Sequence, residues 1–188
     1  MVKRLAFLFF ISLAACSVLQ ASESASVRYD KANKLFAASR HQEALVLYQG
    51  LLLSPPAGVS PSDIHTRIGD SWFRLGAYEN ALASYRRALQ GQSPTERPGT
   101  QYWIGFCCLL VGRNAEAAKE FLKIPELYPG SGMWAGTGYY WAGRAYERMG
   151  RPEEAADCYQ KAAGNGRTTQ GTFALKKAES ITKRPGGR

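Results

Sequence analysis

Four stretches of this chain carry one short pattern at nearly one interval. "YYWAGRAYERMGRPEEAADCYQKAA" places Gly143, Tyr146, Gly150, Ala155, Tyr159 and Ala162 in that order. "HTRIGDSWFRLGAYENALASYRRAL" repeats it at identical offsets with Gly69, Trp72, Gly76, Ala81, Tyr85 and Ala88. The third copy, "QYWIGFCCLLVGRNAEAAKEFLKIPELYP", has Gly105, Cys108, Gly112, Ala117, Phe121, Ile124 and a closing Pro129. The first, "RYDKANKLFAASRHQEALVLYQGLLLSP", substitutes Ala32, Leu35, Ser39, Ala44, Tyr48 and Leu51. Ala44, Ala81, Ala117 and Ala155 are separated by 37, 36 and 38 residues. A period of this length means stacked units, none of which can bury its apolar face alone.

The spacings within a copy are helical. Tyr139, Ala142, Gly143 and Tyr146 recur at three- and four-residue steps and share one helix face. Gly150 stands where that helix must stop, because glycine accepts the left-handed conformation that ends helices. "RPEE" then restarts a helix with proline and acids near its positive end. Ala155, Tyr159 and Ala162 form the apolar stripe of the second helix. A glycine inside a helix costs up to about 1 kcal/mol relative to alanine, so Gly143 predicts a neighbouring helix packed almost against its backbone.

Small residue, aromatic, alanine, second aromatic and closing proline, in this order, resemble the tetratricopeptide repeat family. The resemblance implies an all-α solenoid of four helical hairpins over residues 27–165. "TTQGTFALKKAESITK" is expected to follow as a capping helix, with Phe173, Ala174, Ala178 and Ile181 against the open end and a basic tail within 166–188. The period exceeds the family's usual ~34 residues; the longer connections "PPAGVSPSD" and "GQSPTERPGT" take up the difference. Pro125 is expected to shorten the second helix of the third repeat. The long period and "YPGS" are similar to repeats of bacterial envelope proteins.

The start of the chain points to export. "MVKRLAFLFFISLAACSVLQAS" opens with Lys3 and Arg4, runs apolar from Leu5 to Ala15 and holds no acid before Glu23, the layout of a secretory signal. Its apolar run is shorter than the ~20 residues of a spanning helix. "LAAC" resembles the lipobox of bacterial lipoproteins, which implies a signal over 1–15, a lipid on Cys16 and a tether over 16–26. Ordinary cleavage after Ala21 is the alternative. Ser17, in place of aspartate, favours the outer membrane.

The formal charge of +9 is uneven. Lys3 and Arg4 belong to the signal, and residues 166–188 hold six basic residues against Glu179, so the excess is mainly a tail. Nucleic acid is not expected as a partner of an exported chain. With Cys16 lipidated, Cys107, Cys108 and Cys158 remain, and small apolar packing is their expected role. His41 and His65 sit in different repeats without carboxylate or thiol at ligand spacing. No phosphate loop, nucleophile elbow or paired acid and base is present. Neither metal, cofactor nor catalysis is expected.

A binding surface remains. In the family the concave groove is lined by the first helix of each repeat. The resemblance therefore carries groove positions onto Tyr29, Asn33 and Phe36, onto Asp70, Phe73 and Arg74, onto Tyr102, Phe106 and Leu109, and onto Tyr140, Arg144, Glu147 and Arg148. Exposed aromatics there suit a protein or peptide partner. The carboxylate clamp of chaperone-tail-binding relatives is missing: Asn33 matches, but Tyr29, Asp70, Gly99 and Trp103 replace its lysine, asparagine, lysine and arginine. The expected function is a non-catalytic interaction scaffold of the bacterial envelope, membrane-bound through its lipid. β-barrel assembly, pilus secretin piloting and cell-wall or division coordination are its competing settings, and a soluble periplasmic accessory subunit is the alternative.

Overall fold

The computed structural model describes residues 23–165 and 169–182. In chain order the helices are α1 Ala25–Ala37, α2 His41–Leu51, α3 Pro61–Arg74, α4 Tyr78–Gly91, α5 Arg97–Leu110, α6 Asn114–Leu127, α7 Met133–Arg148, α8 Pro152–Gly164 and α9 Thr169–Thr182. Consecutive helices pack on one another. Pairs α1/α2, α3/α4, α5/α6 and α7/α8 are the four repeats. Ala25 and Ser26, expected in the tether, already belong to α1, because the Ser24 side chain accepts from the Val27 amide and starts the helix there.

Every hairpin turns the same way. Gly76, Gly112 and Gly150 have φ of 75°, 80° and 68°, and Ser39 holds the equivalent place at 60°. The amide after each returns to a carbonyl five residues back: Arg40 to Leu35, Ala77 to Trp72, Arg113 to Cys108 and Arg151 to Tyr146.

The centre of three of the four hairpins is an aromatic ring laid on a glycine. A Cβ on Gly69 would lie 2.7 Å from the Tyr85 ring, one on Gly105 2.8 Å from Phe121, and one on Gly143 2.7 Å from Tyr159. All three rings are buried, as is Tyr48 beside Ala32 in the first repeat. Alanine is absent from these three sites because its methyl group would occupy the space of the ring.

Pro125 does not shorten α6, which runs through it to Leu127. Proline has no N–H for the Phe121 carbonyl one turn back. Gly138 of α7 packs on that carbonyl, so close that a Cβ would come within 2.7 Å of the oxygen. A Cα–H contact thus covers the acceptor that the proline leaves open. Cys107, Cys108 and Cys158 are free and buried in the core. Burial pushes their thiols up, to about 12, 11 and 11 respectively.

Helix α9 packs on α8 with Ala174 and Ala178 buried and Ile181 half-buried. Phe173 stays about half exposed, its ring 6.2 Å from that of Tyr140. On the outer layer, Arg113 pairs with Glu79 at 2.7 Å and Arg86 with Glu116, joining α4 to α6.

Replacing Gly143 by leucine is expected to lower the thermal midpoint, since overpacking of this kind costs about 1–3 kcal/mol or more. Gly50, inside α2 with open space around it, is the control: Gly50→Ala should hold or raise the midpoint, by up to about 1 kcal/mol. Equal midpoints for Gly143→Leu and the parent would refute the close-approach account.

Candidate functional site

The first helices of successive repeats lie side by side, and between α3, α5 and α7 their aromatic side chains form an unbroken network. Phe73 stands 5.0 Å from Trp103 and 6.1 Å from Phe106, ring centre to ring centre. Tyr102 lies 5.7 Å from Phe106. Phe106 meets Trp141 edge-on at 4.9 Å. Trp134 extends the wall, 5.9 Å from Tyr102. All six rings are half-buried, held by packing yet still open on one side. Beyond Trp134 lies a pocket of about 540 Å³ lined by Pro94, Pro98, Leu127 and Tyr128.

The expected groove residues divide into three groups. Phe73, Tyr102 and Phe106 come together in the wall. Phe36 does not join them; it packs edge-on against His41 at 4.9 Å, within the first repeat's own cluster. Leu109 and Tyr140 are corrections. Leu109 is 3% exposed in the central core and Tyr140 is 8% exposed beneath α9. The helix turn that puts Phe73 on the surface puts Leu109 against the neighbouring core.

The polar members are held by the repeat tyrosines. Tyr48 donates to Asn33 Oδ1 at 2.7 Å, Tyr85 to Asp70 Oδ1 at 2.8 Å and Tyr159 to Glu147 Oε2 at 2.6 Å. A buried phenol needs such an acceptor. Repeat three has Phe121 instead, and the position equivalent to Asn33 and Asp70 carries Phe106, the hub of the wall. Tyr29 stacks edge-on against Tyr48 at 6.0 Å. Arg144 faces Glu147 at 3.5 Å, and Arg148 donates to the Leu109 carbonyl at 3.2 Å. Arg74 is exposed on the last turn of α3.

Trp103, Trp134 and Trp141 are the residues that sequence reasoning missed. Trp103 and Trp141 each stand two residues before a repeat glycine, and reading that column would have found them. In repeat two the same column holds Arg67, which lies against the Tyr29 hydroxyl and 3.8 Å from Asp70. Arg67 stands where repeats three and four carry tryptophan, so the tryptophans of this column begin at Trp103.

Two carboxylates here shift in opposite directions. Burial raises Asp70, against the Tyr85 hydrogen bond and the attraction of Arg67 and Arg74. Burial also pushes Glu147 up, but the Lys177 ammonium, the Tyr159 hydroxyl and Arg144 together hold it below its usual value. Lys177 reaches it at 2.8 Å from α9. Among the described residues no cluster of three or more histidines, cysteines or carboxylates could hold a metal, and no helix is long and apolar enough to cross a membrane.

Two tetratricopeptide repeat family models match the chain, over residues 29–97 and 136–163. This chain carries tetratricopeptide repeats. The tetratricopeptide fold is shared by a repeat protein from Parabacteroides merdae, at a TM-score of 0.69 and 16% identity over 84% of this chain and 60% of that one. It is shared also by MamA 41-end from Desulfovibrio magneticus RS-1, at a TM-score of 0.62 and 15% identity over 85% and 93%. A curated relative, the human protein O-mannosyl-transferase TMTC2, is 31% identical over 100 residues, which are 53% of this chain and 12% of that protein. The match spans about an eighth of TMTC2's length.

The two carboxylates give a signed test. A raised Asp70 contributes stability that is complete below the unfolded carboxylate range and lost as pH rises through its folded value. Asp70→Asn keeps the acceptor that Asn33 provides in repeat one, and its midpoint at pH 7 should equal or exceed the parent's. A lowered Glu147 contributes stability above its unfolded pKa, lost as pH falls through the folded one. Glu147→Gln should therefore lower the midpoint at pH 7 and lose that difference in acid. Thermal melts between pH 3 and 7 check both signs.

Proposed function

We propose that this chain is a non-catalytic interaction scaffold that takes a partner's segment along the wall of Phe73, Trp103, Phe106 and Trp141. Tetratricopeptide repeats bind protein or peptide partners, and the continuous half-buried wall is the observation that carries the reading here. Large rings held in place by one another bury area at little entropic cost. Phe73→Ala and Phe106→Ala should each weaken partner binding by about 2 kcal/mol or more where the residue is a hot spot. The circular dichroism spectrum should stay that of the parent. Equal recovery of every partner in a pull-down by a folded double variant would move the surface elsewhere.

The setting belongs to the same proposal: a bacterial cell envelope, with the chain exported and lipid-anchored through Cys16, the outer membrane being favoured. "LAAC" and the basic, then apolar, leader support it; Cys16 and the leader lie outside the described residues. Cys16→Ser should abolish incorporation of a clickable fatty acid, because the acyl acceptor is the thiol. A parent protein that takes up no label and begins at Ser22 would eliminate the anchor.

A further inference from the structure

The column two residues before each repeat glycine runs from repeat two to α9; its counterpart in repeat one, two residues before Ala32, is Asp30. It reads Arg67, Trp103 and Trp141, at intervals of 36 and 38 residues, and a further 36 residues on it reaches Lys177 in α9. The register is physical as well as numerical. Ile68, Ile104, Ala142 and Ala178 are buried at one equivalent position, and α9 lies against α7 and α8 as the first helix of another repeat would. At the position of the packed glycine α9 carries exposed Glu179, consistent with there being no second helix in the described residues for it to admit. From repeat two to α9 the column is therefore cation, tryptophan, tryptophan, cation.

Arg67 meets Asp70, and Lys177 meets Glu147. Arg74 is added on the α3 side, and Arg144 and Arg148 on the α7 side. Five cations thus stand against these two carboxylates, while Asp63 is occupied in the capping box of α3. Both carboxylates are tied by tyrosine hydroxyls and cations, so the excess positive charge flanks the aromatic wall on both sides.

We infer that the groove selects an extended acidic segment of about nine residues, with apolar or aromatic side chains at its centre and carboxylates towards both ends. The length follows from three steps between neighbouring first helices at ~10 Å each, covered at about 3.3 Å per residue. Charge complementarity chooses the ends: a lysine-flanked segment meets like charge on both sides, which suppresses wrong partners and sets the salt dependence of association. This inference rests on the wall being the binding surface.

The test is fluorescence anisotropy of the full chain with three labelled synthetic nonapeptides. One has two central phenylalanines and glutamates at both ends, one replaces the glutamates by lysines, and one replaces the phenylalanines by serines. The glutamate and phenylalanine peptide should bind at least about tenfold more tightly than either other, with a preference over lysine that shrinks as salt rises. The doubly substituted Arg74→Glu, Arg148→Glu chain gives up the Arg148 bond to the Leu109 carbonyl, keeps the parent's circular dichroism spectrum and should reverse or erase that preference. Equal binding of the glutamate- and lysine-flanked peptides overturns the acidic assignment and leaves the wall standing. Equal binding of the serine and phenylalanine peptides overturns the wall itself. No binding of any peptide at about 1 mM, where even weak association of ~4 kcal/mol is visible, overturns the inference.

Discussion

An aromatic ring on a bare helix backbone is the contact from which the structure follows. Tyr85 on Gly69, Phe121 on Gly105 and Tyr159 on Gly143 hold the two helices of a repeat in close approach, with Ala81, Ala117 and Ala155 of the second helices fully buried. Each close hairpin presents its remaining apolar face to the next. The core is therefore continuous along the array rather than central, and neighbouring repeats share its cost and its stability. Pro125 and Gly138 show one approach at work between repeats, where a missing amide on one helix is met by a missing side chain on the next.

The fold was legible because this contact is written in residue types. Glycine inside a helix and a ring sixteen residues on make sense only together, and three copies at one spacing leave little else to fit. The same pattern placed the hairpin turns at Gly76, Gly112 and Gly150. Helix α9 was readable from Ala174 and Ala178, though Phe173 turned towards Tyr140 at the edge rather than into the interface.

The site was less legible. Family positions assign an orientation to each residue from its place in the helix, but neighbours decide whether the side chain stays open. Leu109 and Tyr140 occupy groove positions and are buried, the first by the central core and the second by α9. Trp103 and Trp141 lie one column aside and supply half the wall, because rings of their size reach the preceding helix. Arg67 in the same column shows that size and charge, unlike small-residue packing, vary from repeat to repeat without disturbing the fold.

The absent hydroxyl of Phe121 has a consequence on the opposite side of its helix pair. Where the second helix supplies a tyrosine, the first supplies an acceptor: Asn33 and Asp70 at one position, and Glu147 three residues further along in repeat four, where Arg144 holds that position. Phe121 makes no such demand, and the position released to Phe106 joins the rings of α3 and α7 into one surface. The outer helix thus licenses what the inner helix displays. A single hydroxyl, present on Tyr85 and absent from Phe121, separates a repeat that keeps a polar acceptor at this position from one that places a ring there.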